Sequence, residues 1–227
     1  MDPHWPPIEM SPSRWRFDPS QADPGEDLIA VGGDLAPETI LAAYRSGVFP
    51  MGIGRHGRAP IGWWSPDPRG VLLPGSFHTS RSLRRSARRF EIRVNTAFVD
   101  VIRGCADPRR HGRWITPDII EAYTELHELG WAHSVETWQE GRLVGGLYGI
   151  MTGGLFAGEA MFSREPDASK AALLAPVDRF LGPEEPARII DVQWQTPHLS
   201  TLGVVEIGRP AYLERLAAAL QQPLRPL

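Results

Sequence analysis

The segment over residues 187–199, ARIIDVQWQTPHL, places an acid and amides inside an apolar strand. Side chains alternate between the two faces of a strand, so Asp191 and Gln193 are predicted to share one face. Val192 and Trp194 are predicted to share the opposite, core-facing side. Because β-branched and aromatic neighbours indicate burial, an unpaired carboxylate here would be costly. We predict that Asp191 accepts a hydrogen bond from the side-chain amide of Gln193 and fixes its orientation.

A second acid, Glu159, lies in the apolar strand LFAGEAMFS, residues 155–163. Strict alternation places Glu159 and Met161 on one face and Phe156 on the other. If this strand lies close to the one that carries Asp191, two acids and an amide meet at a cleft. That group suits catalysis, but spacing alone leaves open a purely structural polar network between neighbouring strands.

Arginines follow one face of a helix predicted over residues 80–90. They recur at helical spacing, as Arg81, Arg84, Arg85 and Arg88. Only one acid, Glu91, lies anywhere near them in the sequence. The stripe therefore fits a surface that meets phosphates, although a solvated helix face remains the alternative.

The rest of the pattern predicts the elements that position these side chains. Residues 1–27 are rich in proline and indicate an extended arm, and a short strand and helix follow. Residues 49–70 show no sustained period and are predicted to be a long irregular segment near a domain boundary. We therefore divide the chain into an arm with a small α/β domain, residues 1–65, and a catalytic domain, residues 66–227.

The second domain is predicted to combine helices with a mixed, largely antiparallel sheet, which gives an α/β (α+β) fold. Its centre is a three-strand antiparallel meander with turns at Glu140-Gly141 and Gly153-Gly154. The predicted meander strands span residues 134–138, 142–152 and 155–163. After the arginine stripe, one helix is predicted to begin at the cap Thr116. Another begins at the cap Asp167 and continues through Leu174, and a closing helix spans residues 209–220.

Composition narrows the class of protein. The chain has 227 residues, a net charge of −3 and a single cysteine, Cys105. One cysteine excludes an internal disulfide and a cysteine zinc cluster, and the histidines lack metal-ligand spacing. No Walker or GxGxxG motif and no apolar run of about 20 residues occurs. We expect a soluble, cytoplasmic protein without a metal or cofactor.

Seven longer motifs carry a resemblance to a known family. In chain order they are GGDLAPETILAAYRSGVFP, WWSPDPRGVL, FHTSRSLRR, WITPDIIEAYTELHELGWAHSVETW, LVGGLYG, GEAMFSREPDASKAALL, and IIDVQ followed by HLSTLGVVEI. From about residue 28 to the C-terminus, the chain resembles the leucyl/phenylalanyl-tRNA-protein transferases. The resemblance implies a small N-terminal domain, a C-terminal acetyltransferase-like (GNAT) domain, and a monomer.

The resemblance also implies an activity. Leu or Phe would pass from leucyl-tRNA or phenylalanyl-tRNA to the α-amino group of proteins with N-terminal Arg or Lys. The added residue would mark those proteins for degradation in the bacterial N-end rule pathway. By motif, Asp191 and Gln193 would be the catalytic pair, with Glu159 beside them.

Binding roles are implied in the same way. Trp114 and Tyr123 would help hold the terminal adenosine and aminoacyl group, Leu147 and Met161 would line the pocket for Leu or Phe, and Arg81, Arg84, Arg85 and Arg88 would meet the tRNA acceptor stem. Met51 would contribute to the adenosine site, where the family pattern has a tryptophan against the adenine. A methionine can cover an aromatic face through sulfur contacts.

Two other classes remain as alternatives. An acetyl-coenzyme A N-acetyltransferase would need a glycine loop for pyrophosphate at the start of the helix that follows the central strand. That place holds SREPDASK instead. A non-catalytic RNA-binding module would explain the arginine stripe but would leave Asp191, Gln193 and Glu159 without a role.

Overall fold

The computed structural model describes residues 2–109, 113–182 and 184–227. Its ten strands, in chain order, are β1 Leu28–Val31, β2 Phe49–Gly52, β3 Ile61–Trp64, β4 Arg69–Leu72, β5 Glu91–Val94, β6 Ala132–Gln139, β7 Arg142–Thr152, β8 Leu155–Ser163, β9 Ile189–Gln193 and β10 Val205–Ile207. Its α-helices are α1 Pro37–Arg45, α2 Arg81–Ala87, α3 Phe98–Cys105, α4 Pro117–Glu128, α5 Ala168–Phe180, α6 Pro197–Ser200 and α7 Arg209–Leu220. Among the residues described, no helix combines the length and apolar character needed to cross a membrane.

A small antiparallel sheet forms in the N-terminal part, in the order β1-β3-β2. The prediction of an irregular segment over residues 49–70 is therefore wrong. That segment holds β2, β3 and the first residues of β4, together with a 3₁₀ turn at Arg55–Gly57. Its strands have only four residues each, which is too short to show a periodic pattern in the sequence. The arm before β1 has one 3₁₀ turn, Pro19–Gln21, as its only helix or strand among the described residues.

The larger sheet has seven strands in the order β10-β4-β9-β8-β7-β6-β5. The β6–β7–β8 meander confirms the predicted antiparallel connection. Strands β8 and β9 are parallel neighbours, and the remaining neighbours are antiparallel. The prediction of a mixed, largely antiparallel sheet with helices is confirmed. The strand of Glu159 thus lies directly beside the strand of Asp191.

Helices cover both faces of this sheet. In β7, Tyr148 and Ile150 pack into a core shared with α1, α3, α4 and α7. Their neighbours Leu147 and Met151 face the other way, into a core shared with α2 and α5. All four side chains are buried, which is what a sheet covered on two sides requires. Strands β8 and β9 contribute side chains to both cores.

Helix ends differ from the prediction in two places. Helix α2 ends at Ala87, and α5 continues beyond Leu174 to Phe180 although Pro176 lies inside it. Asp167 precedes α5 in a left-handed conformation, with a φ of 67°, and makes no capping bond. Its carboxylate instead accepts a bond from Lys170 at 3.0 Å. Helix α7 has the predicted bounds, and Thr116 caps α4 as predicted.

Candidate active site

A pocket of about 530 Å³ opens where β8 and β9 separate. Pairing between the two strands ends at Ala157 and Asp191. Beyond that pair, the ends of both strands form opposite walls of the pocket. Its apolar lining comes from Phe49, Met51, Trp114, Leu147, Phe156, Ala160, Met161, Leu173, Ile190, Val192, Trp194 and Leu199. Glu159 and Gln193 lie among these side chains and are nearly buried, at 9% and 6% exposure.

Asp191 lies behind the pocket in a buried ion pair with Arg69 of β4. Both side chains are 1% exposed. The Arg69 guanidinium donates from Nε to Oδ1 at 2.9 Å and from Nη2 to Oδ2 at 2.6 Å, the two-pronged geometry of strong carboxylate recognition. The hydroxyl of Tyr212 donates to Oδ2 at 2.7 Å, and the backbone N–H of Gln193 donates to Oδ1 at 2.9 Å. The carboxylate therefore has four donors and no contact with the Gln193 side-chain amide. The predicted bond between those two side chains is wrong.

Aromatic rings and a carbonyl complete the surroundings of Arg69. Its guanidinium carbon lies 4.5 Å from the Tyr212 ring centre and 5.0 Å from that of Phe49. Its Nη1 donates to the carbonyl oxygen of Gly47 at 3.2 Å. Burial acts to lower the pKa of Arg69, but the charge and hydrogen bonds of Asp191, together with the nearby Tyr212 and Glu159, outweigh it and raise the pKa. Arg69 and Tyr212 were not among the predicted site residues. The sequence did hold a signal for Arg69. It is a charged residue at the start of RGVL, a segment whose other residues are as apolar as those around Asp191.

Glu159 occupies a β-bulge in β8. Tyr148 of β7 pairs with Ala160, and Gly149 pairs with Gly158, so Glu159 has no partner in the ladder. The extra residue reverses the alternation from that point. Met161 therefore packs in the same core as Phe156. The prediction that Met161 lies on the face of Glu159, opposite Phe156, is wrong.

The Glu159 carboxyl is bound by neutral groups. Gln193 Nε2 donates to Oε1 at 3.1 Å, and the hydroxyl of Tyr123 donates to Oε2 at 3.4 Å. The Tyr123 hydroxyl also bonds that of Tyr44 at 2.6 Å. Burial, followed by repulsion from Asp191, raises the pKa of Glu159 to about 8. At neutral pH this carboxyl is therefore mostly protonated.

Gln193 ends β9 in a left-handed conformation, with a φ of 63°. This turn of the backbone brings its side chain into the pocket beside Ile190 and Val192, while Asp191 stays outside the lining. The predicted common face for Asp191 and Gln193 is therefore wrong. With Nε2 bound to Glu159, the carbonyl oxygen of Gln193 remains available as an acceptor. Trp194, predicted on the core face, is 37% exposed and donates to Asp27 at 3.0 Å.

The other predicted residues divide into two groups. Met51, Trp114, Leu147 and Met161 line the pocket. Tyr123 is fully buried and reaches the site only through its bond to Glu159. The four arginines of the stripe, three on α2 and Arg88 directly after it, are exposed and lie apart from the pocket lining. None has an ion pair to a described residue.

Comparison with known proteins identifies the family. The family model described as leucyl/phenylalanyl-tRNA protein transferase matches residues 71–217, and the model of its N-terminal domain matches residues 33–67. A leucyl/phenylalanyl-tRNA–protein transferase from Salmonella newport is 50% identical over 199 residues, which are 87% of this chain and 83% of the relative. The protein of the same name from Citrobacter koseri is 48% identical over the same extent. Because these matches span both the N-terminal part and the residues of the pocket, the chain belongs to the leucyl/phenylalanyl-tRNA–protein transferase family of enzymes.

Proposed function

We propose that the protein moves Leu or Phe from leucyl-tRNA or phenylalanyl-tRNA to the α-amino group of proteins with N-terminal Arg or Lys. The product would enter the bacterial N-end rule pathway in the cytoplasm. The observation that carries this proposal is the apolar pocket with Glu159 and Gln193 at its polar corner. The apolar side chain of the acyl group needs an apolar surface, and the attacking amine needs a polar surface next to it.

The apolar wall supports the choice of acyl group. Leu147, Met161 and Leu173 are flexible side chains that leave room for either Leu or Phe. Smaller residues would gain less, since each methylene contributes about 1 to 3 kcal/mol to discrimination. Trp114 and Met51 at the same pocket support binding of the terminal adenosine, by stacking and by sulfur–aromatic contact.

Orientation is proposed as the main source of catalysis. An α-amine has a pKa of about 7.7 to 8.0, so roughly a tenth is neutral and nucleophilic at pH 7. Correct placement of amine and ester can contribute up to about 7 to 11 kcal/mol. The carbonyl oxygen of Gln193 is placed to accept a hydrogen bond from the attacking amine. A neutral amide is a poor base, so this residue would position the amine without taking its proton.

Proton transfer then involves a different group. The amine nitrogen forms a bond to the acyl carbon, the ester bond to the tRNA ribose breaks, and the proton lost by nitrogen is gained by the ribose oxygen. With a pKa of about 8, close to that of the amine, Glu159 is ionised in part near neutral pH, and this ionised form is suited to receive the proton and return it. A carboxyl at this point also supports a preference for basic N-terminal side chains, because a nearby cation would favour its ionised form.

The fold and the remaining partners belong to the same proposal. We infer an acetyltransferase-like (GNAT) architecture for residues 66–227, supported by two parallel strands that separate to form an acyl pocket. The exposed arginines of α2 would bind the phosphates of the acceptor stem. We also expect the enzyme to act as a monomer.

One assay tests the activity. Leucyl-tRNA carrying radiolabelled leucine is incubated with the protein and a peptide whose N-terminal residue is Arg. We expect label in this peptide and in a Lys peptide. The same peptide with an acetylated N-terminus should receive none, and one that begins with Ala should receive little. Absence of label in the Arg peptide would contradict the proposed function, and equal label in the Ala peptide would contradict the basic preference.

A further inference from the structure

A second group of positive charges lies beside Trp114, on the loop that joins β2 to β3. The loop contains Arg55, His56 and Arg58, and Arg113 approaches it from the segment before α4. Nη2 of Arg113 lies 3.2 Å from the His56 ring nitrogens. His56, Arg58 and Arg113 line a cleft of about 590 Å³, which we name the Arg113 cleft.

Among the described residues, the positive charges at the Arg113 cleft outnumber the acids of its lining. Arg55, Arg58 and Arg113 are exposed, and none forms an ion pair with a described residue. Asp118 is the single acid among the described residues of the lining. Repulsion from the three arginines, with Arg113 first, lowers the pKa of His56. Like charges held this close disfavour the folded state unless an anion binds to them.

The loop that bears the cleft contacts the backbone of a residue that lines the pocket. Gly57, at the centre of the loop, has a φ of 75°, and a Cβ atom there would lie 2.4 Å from the Cα and carbonyl oxygen of Trp114. The backbones of the loop and of Trp114 are therefore in direct contact. Met51, in β2 just before the same loop, lines the pocket. Because Arg113 directly precedes Trp114 in the chain, the Arg113 cleft adjoins the wall of the pocket that Trp114 forms.

The arginine stripe of α2 lies on a different side. Leu83 of α2 packs with Leu173 and Leu202 in the core on the α5 side of the sheet. Trp114 packs against the core on the opposite side. The two basic surfaces thus belong to elements on opposite faces of the large sheet, so we expect a short RNA duplex on α2 to leave the Arg113 cleft unoccupied.

We propose that the Arg113 cleft binds the unpaired 3′ end of the donor tRNA, through the phosphodiesters next to the terminal adenosine. This inference rests on the proposed function, because it takes the terminal adenosine to lie at Trp114. Unpaired nucleotides expose their phosphates and their base faces, and both arginine and histidine side chains can stack on such bases. The α2 stripe would then hold the paired stem, and the cleft would direct the single strand into the pocket.

The test compares two double variants of equal charge. Arg58→Gln with Arg113→Gln removes two charges from the cleft, and Arg179→Gln with Arg215→Gln removes two exposed charges from α5 and α7. Each protein is assayed with three donors: leucyl-tRNA, a leucyl ester of the trinucleotide CCA, and a leucyl ester of adenosine. Arg85→Gln is assayed with the same donors to report on the α2 stripe.

The cleft variant should raise KM for the tRNA and the trinucleotide by about fivefold, since phosphate contacts supply salt-dependent affinity. Its KM for the adenosine ester, which has no phosphodiester, should equal that of the parent. The control variant should change no KM, and Arg85→Gln should raise only that for tRNA. An unchanged KM for the trinucleotide in the cleft variant would overturn the inference, as would an equal rise for the adenosine ester. If the parent uses none of the three donors, the proposed function fails as well.

Discussion

Asp191 and Glu159 are two buried acids on neighbouring strands that meet opposite surroundings. Asp191 is ion-paired to Arg69 and receives four hydrogen bonds on the closed side of the sheet. Glu159 faces the pocket, is bound only by neutral donors, and has a pKa of about 8. The difference separates a fixed structural charge from a group that can change its protonation state. On this basis we propose that Asp191 supports the site and that Glu159 and Gln193 carry out the chemistry.

The largest expected effect is on stability, from Asp191→Asn. This change leaves the buried Arg69 guanidinium without a carboxylate and should lower the free energy of unfolding by about 3 to 5 kcal/mol. Urea unfolding measures the loss. Asp178→Asn, at an exposed position of α5, is the matched control and should change stability little. A loss below about 1 kcal/mol for Asp191→Asn would remove the distinction between the two acids.

Gln193→Ala should reduce activity instead of stability. The variant loses the acceptor that positions the amine, and kcat should fall by about 100-fold, because misplaced reactants lose much of the benefit of proximity. KM for leucyl-tRNA and the melting temperature should change little. Gln195→Ala serves as control, since Nε2 of Gln195 bonds the carbonyl oxygen of Val204 at 2.7 Å, away from the pocket. Near-parental kcat in Gln193→Ala would support the purely structural polar network.

The pH dependence of stability sharpens the comparison further. The ordinary pKa of a glutamate is 4.5, whereas that of Glu159 is about 8 in the folded protein. Between these values the folded state keeps a proton that the unfolded chain has released, so raising the pH favours unfolding. From pH 6 to pH 8 this group should cost about 2 kcal/mol.

Glu159→Gln should abolish that contribution while other titrating groups remain. The measurement is the difference between parent and variant in urea unfolding at pH 6, 7 and 8. The parent should lose more stability than the variant as the pH rises. Parallel pH profiles for the two proteins would mean that Glu159 does not titrate in this range.

The smallest expected effect concerns the choice of acyl group. Met161→Trp fills part of the pocket and should lower kcat/KM for phenylalanyl-tRNA relative to leucyl-tRNA by about tenfold, within the range of a steric effect of this size. Stability should change little, because Met161 lines an open pocket. The ratio of kcat/KM for the two donors is the measurement. A parental ratio would show that Met161 does not contact the acyl group.

The elements that the sequence pattern predicted well depend on neighbours in the chain. The β6–β7–β8 meander has long alternating strands with glycine turns, and α7 has clear ends, so local signals are sufficient. Strands β2 and β3 gain their stability from pairing with each other, and their four residues carry little signal of their own. Helix α5 passes Pro176 because tertiary packing of Val177 and Phe180 outweighs the local signal to stop.

The site residues show the same division. The acids and the amide were visible as polar residues in apolar strands, and Met51, Trp114, Leu147 and Met161 were placed at the pocket by motif. The orientations of Glu159 and Gln193 were not predicted, because a bulge and a left-handed residue each break the period of two. The partner of Asp191 was missed because Arg69 is 122 residues away in the chain.

The distance along the chain between Arg69 and Asp191 determines when the site can form during protein synthesis. Strand β4 leaves the ribosome early, but its place between β9 and β10 can be filled only after residues 189–207 have been made. Tyr212, which completes the shell around Asp191, follows still later. Contacts between such distant segments require closure of a long loop and form late. A nascent chain therefore cannot complete this site until Tyr212 has been made, and we expect the site to be one of the last parts of this fold to form.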